Sequence, residues 1–164
     1  TQTDANGNTT SYTTNAYGSP LQITYPNGSI KTYTYTTHNL LKTYTDPDGL
    51  TIAYTYDSLD RLLTKTYLSS TGTPLTQETF TYKGFNCLTQ TNKEGTLTQY
   101  HYDGAGRKIR ESCEGREIAY TYDSLGFLST VTKHNTLNIH HKRDFLGQLL
   151  QKTHTDSEGH TLYK

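Results

Sequence analysis

The chain predicts an all-β fold, a single-layer antiparallel sheet of successive β-hairpins, and three observations carry that prediction. Residues able to take a left-handed backbone recur at nearly constant spacing. An aromatic pair, one residue apart, stands before most of them. A second turn divides each period, leaving segments too short for a helix. The left-handed positions are Gly18, Asn39, Asp60, Asn86, Gly106, Gly126 and Gly147, separated by 21, 21, 26, 20, 20 and 21 residues. Gly, Asn and Asp enter that region at least cost, so these seven read as turn anchors.

The elements follow from this register. Tyr33/Tyr35, Tyr54/Tyr56, Phe80/Tyr82, Tyr100/Tyr102 and Tyr120/Tyr122 lie on the first strand of each unit, where i, i+2 spacing puts both rings on one face. Tyr12 with Thr14, and His141 with Arg143, hold the same places in the end units. Three residues before each anchor stands Asn15, Thr36, Asp57, Lys83, Asp103, Asp123 or Asp144, most of them able to fold back onto a turn amide. Two residues after it the second strand opens at Leu41, Leu62, Leu88, Leu128 or Leu149, with Pro20 and Lys108 as exceptions. The second turns are marked by Gly7, Gly28, Gly49, Gly72, Gly95, Gly115, Asn135 and Gly159. Strands of about 6–8 residues result, and in a meander the Tyr strand of one unit and the Leu strand of another alternate. The one long gap holds Ser69-Ser70-Thr71-Gly72-Thr73-Pro74, a loop composition expected to sit outside the ladder.

Composition agrees with a thin sheet. Hydrophobic residues make up 31% of the 164, too few for a thick two-layer core, yet 15 tyrosines set the chain apart from disordered sequences. Lys plus Arg equals Asp plus Glu, 15 each, so the electrostatic footprint of a nucleic-acid or anionic-membrane partner is missing. No apolar run is long enough to span a bilayer as a helix. The chain opens on Thr and both ends fall mid-pattern, which reads as one continuous array, residues 1–164, cut from a larger protein. Bare sheet edges favour edge-to-edge self-association.

The segments Tyr54 to Leu62 (YTYDSLDRL), Tyr100 to Arg107 (YHYDGAGR) and Tyr120 to Leu128 (YTYDSLGFL) resemble the YD repeat of Rhs-type and teneurin-like proteins: Tyr-X-Tyr-Asp, two residues, Gly-Arg-Leu, then a Gly-bearing turn. Asp60 stands for Gly, Cys87 and Phe127 for Arg, and Arg143 for Tyr, which weakens single units but keeps the period. The resemblance implies a strip of about seven repeats of 20–26 residues forming a curved wall segment of a spiral β-shell. It also implies a secreted or cell-surface parent. The partners it implies are the remaining repeats of that parent and, in bacterial members, an enclosed C-terminal toxin; animal relatives use the shell in adhesion. The alternative is a module that binds carbohydrate or a partner through the Tyr-rich sheet.

No catalytic, cofactor or metal site is expected. Asp57/Arg61 and Asp103/Arg107 recur at fixed repeat positions, whereas chemistry needs one unique constellation, so they read as turn stabilisers. Asp46-Pro47-Asp48-Gly49-Leu50 is similar to the Asp-Pro-X-Gly-Leu motif linked to self-cleavage in Rhs-type proteins, but its position suits a type I turn. Five histidines crowd the C-terminal stretch, His134, His140, His141, His154 and His160. His140 and His141 project to opposite strand faces, which spoils zinc geometry and leaves a solvated, pH-sensitive surface. Cys87 and Cys113 are too few for a disulfide scaffold.

Overall fold

The computed structural model describes residues 1–134 and 136–163; Asn135, expected to mark a turn, lies outside them. Every regular element is a strand: β1 Gln2–Thr3, β2 Thr9–Thr14, β3 Pro20–Thr24, β4 Ile30–Tyr35, β5 Leu41–Thr45, β6 Thr51–Tyr56, β7 Leu62–Leu68, β8 Pro74–Lys83, β9 Asn86–Thr91, β10 Leu97–Tyr102, β11 Lys108–Cys113, β12 Arg116–Tyr122, β13 Leu128–Lys133, β14 Leu137–Arg143, β15 Leu149–Asp156 and β16 Thr161–Tyr163. They are hydrogen-bonded in sequence order. The chain divides into two compact units, Thr1–Phe80 with Asn92–Gly95, and Thr81–Thr91 with Thr96–Lys164.

In the first unit the two faces differ in chemistry. Tyr33, Tyr44, Ile52 and Tyr67 stand opposite one another across β4 to β7, and the Tyr33 and Tyr44 rings meet at 5.3 Å. The other face carries threonine, with hydroxyls paired across strands: Thr34 with Thr43 at 2.6 Å and Thr55 with Thr64 at 2.7 Å. Cross-strand pairs of both kinds contribute about 0.2–1 kcal/mol each, and β-branched Thr also suits the pleat. The second unit repeats the plan: Tyr120, Val131, Ile139, His154 and Tyr163 form a row across β12 to β16. Among the described residues Val131 and Ile139 are the only buried hydrophobics, so ladders and face pairs, rather than an interior, hold the fold.

Two expectations need correction. Asn86 is not a turn anchor. It is the first residue of β9, and the left-handed backbone falls at Gly84, φ 58°. Lys83 stands where other units carry an acceptor side chain able to take turn amides, and a two-residue Gly84-Phe85 connection closes this hairpin instead. The extra residues of the long gap are not in a loop either. Ser69–Thr73 is an ordinary turn, with the Gly72 N–H donating to the Ser69 carbonyl at 2.9 Å, and the added length goes into β7 and β8, of 7 and 10 residues. β8 carries the ladder through Thr79, Gln77 and Thr76, opposite Thr64, Thr66 and Tyr67, and then across a bulge at Leu75 to Pro74, which pairs with Leu68.

Candidate functional site: the repeat junction

The turns come first, because they fix where every side chain of the junction lies. Gly18, Asn39, Asp60, Gly106, Gly126 and Gly147 have φ between 59° and 87°. In each of these turns the anchor N–H donates to the carbonyl three residues back at 3.0–3.1 Å, and a register shift follows on the preceding strand, the signature of a type I turn closed by a G1 bulge. The side chain at the start completes the turn. Asp103 Oδ1 accepts the N–H groups of Ala105 and Arg107, both at 2.9 Å, and Asp57, Asp123, Asp144 and Asn15 do the same in their own units.

The ion pairs anticipated from the repeat fall inside these turns. Arg61 Nε donates to Asp57 Oδ2 at 2.6 Å, and Arg107 Nε to Asp103 Oδ2 at 2.7 Å. The Arg61 side chain, with the turn amides behind it, holds the Asp57 carboxyl below its ordinary value; for Asp103 the Arg107 amide leads and the guanidinium adds to it. Asp46 occupies the same kind of turn. Its Oδ1 accepts from the Asp48 and Leu50 amides at 3.0 and 2.9 Å.

The aromatic ladder divides into two roles. The first ring of each pair faces its neighbour strand: Tyr33 opposite Tyr44, Tyr54 opposite Lys65, Tyr100 opposite Glu111, Tyr120 opposite Val131. The second reaches back to another unit. Tyr35, Tyr56, Tyr102 and Tyr122 donate their phenol O–H to the carbonyls of Pro20, Leu41, Cys87 and Lys108 at 2.9, 2.8, 2.8 and 2.7 Å. Each acceptor lies two residues outside the backbone ladder between the units, which begins at Gln22, Thr43, Thr89 and Arg110. The phenol therefore satisfies a carbonyl that the ladder does not reach. Phe80 and Tyr82 lie on β8. One sequence signal marks this split: every aromatic at the second position is Tyr, while the first admits Phe80.

The residue after the anchor ties the turns together. Arg107, paired with its own Asp103, also lies over the ring of Tyr122 in the following repeat, 4.6 Å from its centroid, and its Nη1 approaches Gly126. Phe127 takes the corresponding place against Gly147, where a Cβ would come within 2.5 Å of its ring; Gly147, at φ 84°, is thus required twice over. In the first unit Asn39 donates to Ser19 Oγ at 2.9 Å and accepts from Asn15 at 2.8 Å. The junctions are thus built from turns, the side chains beside them and, at Tyr35, Tyr56, Tyr102 and Tyr122, a phenol.

Two polar clusters sit on the tyrosine face. Glu78 accepts from the Tyr67 phenol at 2.6 Å and pairs with Lys65 at 3.4 Å. The Tyr67 hydrogen bond, with Lys65 beside it, lowers the Glu78 pKa. In the other unit Lys108 pairs with Glu111 beneath Tyr100 and Tyr120. Burial raises the phenol pKa of Tyr54, Tyr100 and Tyr120.

Cys87 and Cys113 are free thiols. The histidines do not form one solvated surface: His154 is buried and stacked on Tyr163 at 4.1 Å, because it occupies the apolar row between Ile139 and Tyr163. Among the described residues no cluster of His, Cys, Asp and Glu could hold a metal ion.

The model of the Teneurin YD-shell family matches residues 29–164. The chain belongs to the Teneurin YD-shell family. No curated protein matches this YD-shell chain. Solved structures do. The crystal structure of TcdB2-TccC3 without its hypervariable C-terminal region shares 16% identity at a TM-score of 0.70, over 85% of the YD-shell chain. TcdB2-TccC3-Cdc42 shares 16% at 0.71 over 94%, and TcdB2-TccC3-TEV 17% at 0.61 over 95%. At such identity the likeness is one of fold. The YD-shell chain spans 9% of the length of each of these three solved chains.

Proposed function

We propose that this YD-shell chain is one continuous stretch of wall in a larger secreted shell, and that the shell encloses a toxin or other cargo. The partners in this reading are further repeats of the same parent chain and the enclosed segment. The observation that carries it is the junction: the four phenols, with Arg107, Phe127 and Asn39 at the turns, tie repeats to their neighbours, and among the described residues none converges on a reactive constellation. The role is therefore structural rather than catalytic. With only two buried hydrophobics among the described residues, strand ladders rather than an interior hold the sheet, which suits a wall. A carbohydrate-binding or adhesion surface would draw on free phenol groups, but those of Tyr35, Tyr56, Tyr102 and Tyr122 are engaged by carbonyls, which favours the wall.

Limited proteolysis of the parent protein tests this. The segment that follows the repeats should resist cleavage while the shell is intact and become accessible when the phenol links are removed together by Tyr56→Phe, Tyr102→Phe and Tyr122→Phe. Cleavage of that segment at the rate of a free peptide in the unaltered protein would refute enclosure.

A further inference from the structure

His154 is the one buried ionisable side chain among the described residues, 9% exposed, and its Nδ1 has no hydrogen-bond partner. It stands in the row of Tyr120, Val131 and Ile139, with its ring stacked on Tyr163 of β16. His141 lies on the same face of β14, opposite Lys152, and its Nδ1 is likewise buried and unpartnered. Where YD repeats carry the tyrosine pair, this unit carries His141 and Arg143.

The surrounding charge is unfavourable to a second cation. Lys133 on β13, Arg143 on β14 and Lys152 on β15 act on the two rings, while β16 offers only the Tyr163 ring. On β13 the Ser129 backbone contact favours the charged form of His141 against that trend. The acid of this region, Asp156, is taken up by its own turn, accepting the Glu158 and His160 amides at 3.0 and 2.9 Å and facing the His160 ring at 3.1 Å. A proton added to His154 therefore enters an apolar row in which no carboxylate among the described residues stands ready to receive it.

We propose that His141 and His154 form an acid-operated latch on the last three strands. Neutral, the pair joins β14, β15 and β16. Protonated, it releases β16 and then loosens β15, while the rest of the chain stays folded. Burial leads in lowering both histidine pKa values below their usual 6.5, with the neighbouring cations adding to it. The unfolded segment then takes up protons first as the pH falls. The latch contributes its full stability above about pH 6.5 and loses it as the pH drops toward the folded values.

Hydrogen exchange of the whole chain at about pH 7.5 and about pH 5, corrected for intrinsic rates, reads this directly. Peptides of β15 and β16 should lose protection by about tenfold or more while those of β5 to β7 keep theirs. The double variant His141→Gln/His154→Phe, which retains a ring to stack on Tyr163, should abolish the difference. An equal loss in that variant, or no loss in the unaltered chain, overturns the proposal. Should the variant fail to fold, the NMR titration of the native His154 ring decides the matter: a midpoint at or above 6.5 refutes the latch.

Discussion

The second tyrosine of each repeat shows how much depends on one oxygen atom. In Tyr122 the phenol meets the Lys108 carbonyl at 2.7 Å, beyond the end of the backbone ladder. Tyr122→Phe keeps the ring and removes that bond, so it should lower the unfolding free energy in urea by about 1 kcal/mol. Tyr33→Phe, at the position where another unit already uses Phe80, should stay within about 0.5 kcal/mol. Equal costs at the two sites would mean that ring packing, rather than the phenol link, distinguishes them. At this scale the sequence is legible wherever backbone geometry selects the residue. The six anchors with positive φ stand out because few residue types tolerate that conformation. Asn86 misleads for the same reason: it tolerates a left-handed backbone without needing one, and Gly84 two positions earlier serves better. Arg107 reads locally as a partner of Asp103, but its second contact, with Tyr122, depends on which strand lies next to it.

The hairpin is the element, and its turn is tuned by acid. Asp103 accepts two amides through Oδ1 and Arg107 through Oδ2, which keeps its carboxyl ionised below the usual range. A depressed carboxylate pKa stabilises the fold above about pH 4, and that contribution fades as the pH falls through the lower folded value. Asp103→Asn retains the Oδ1 acceptor, as Asn15 does in the first repeat. It should therefore cost less than Asp103→Ala and flatten the acid limb of stability; thermal melts between about pH 2.5 and about pH 5 would show both effects. A steeper acid limb in the Asn variant would contradict the assignment. Hairpin existence and order were legible, since two turn signals per period leave no alternative connection. Strand length was not. Ser69 to Pro74 has loop composition, yet Pro74 pairs with Leu68, because a bulge at Leu75 lets the ladder run on to the turn.

At the level of the whole molecule, the contacts within each unit join strands adjacent in sequence, and stability should accumulate repeat by repeat. Removing residues 1–24, which carry β1 to β3, should leave the circular-dichroism melt of the remaining strands within a few degrees of the parent, with amplitude reduced in proportion. Collapse of all structure on that truncation would show a cooperative interior instead. The family was legible from the repeat, because the spacing of Tyr, Asp and Gly survives even where single units depart from it. The phenol link adds one consequence. Its acceptors belong to Pro20, Leu41, Cys87 and Lys108, four residues with nothing in common but the peptide oxygen. A donor that recognises only the main chain places no demand on its neighbour's side chain, so modules of this kind can be duplicated, shuffled or allowed to diverge without rewriting the one alongside.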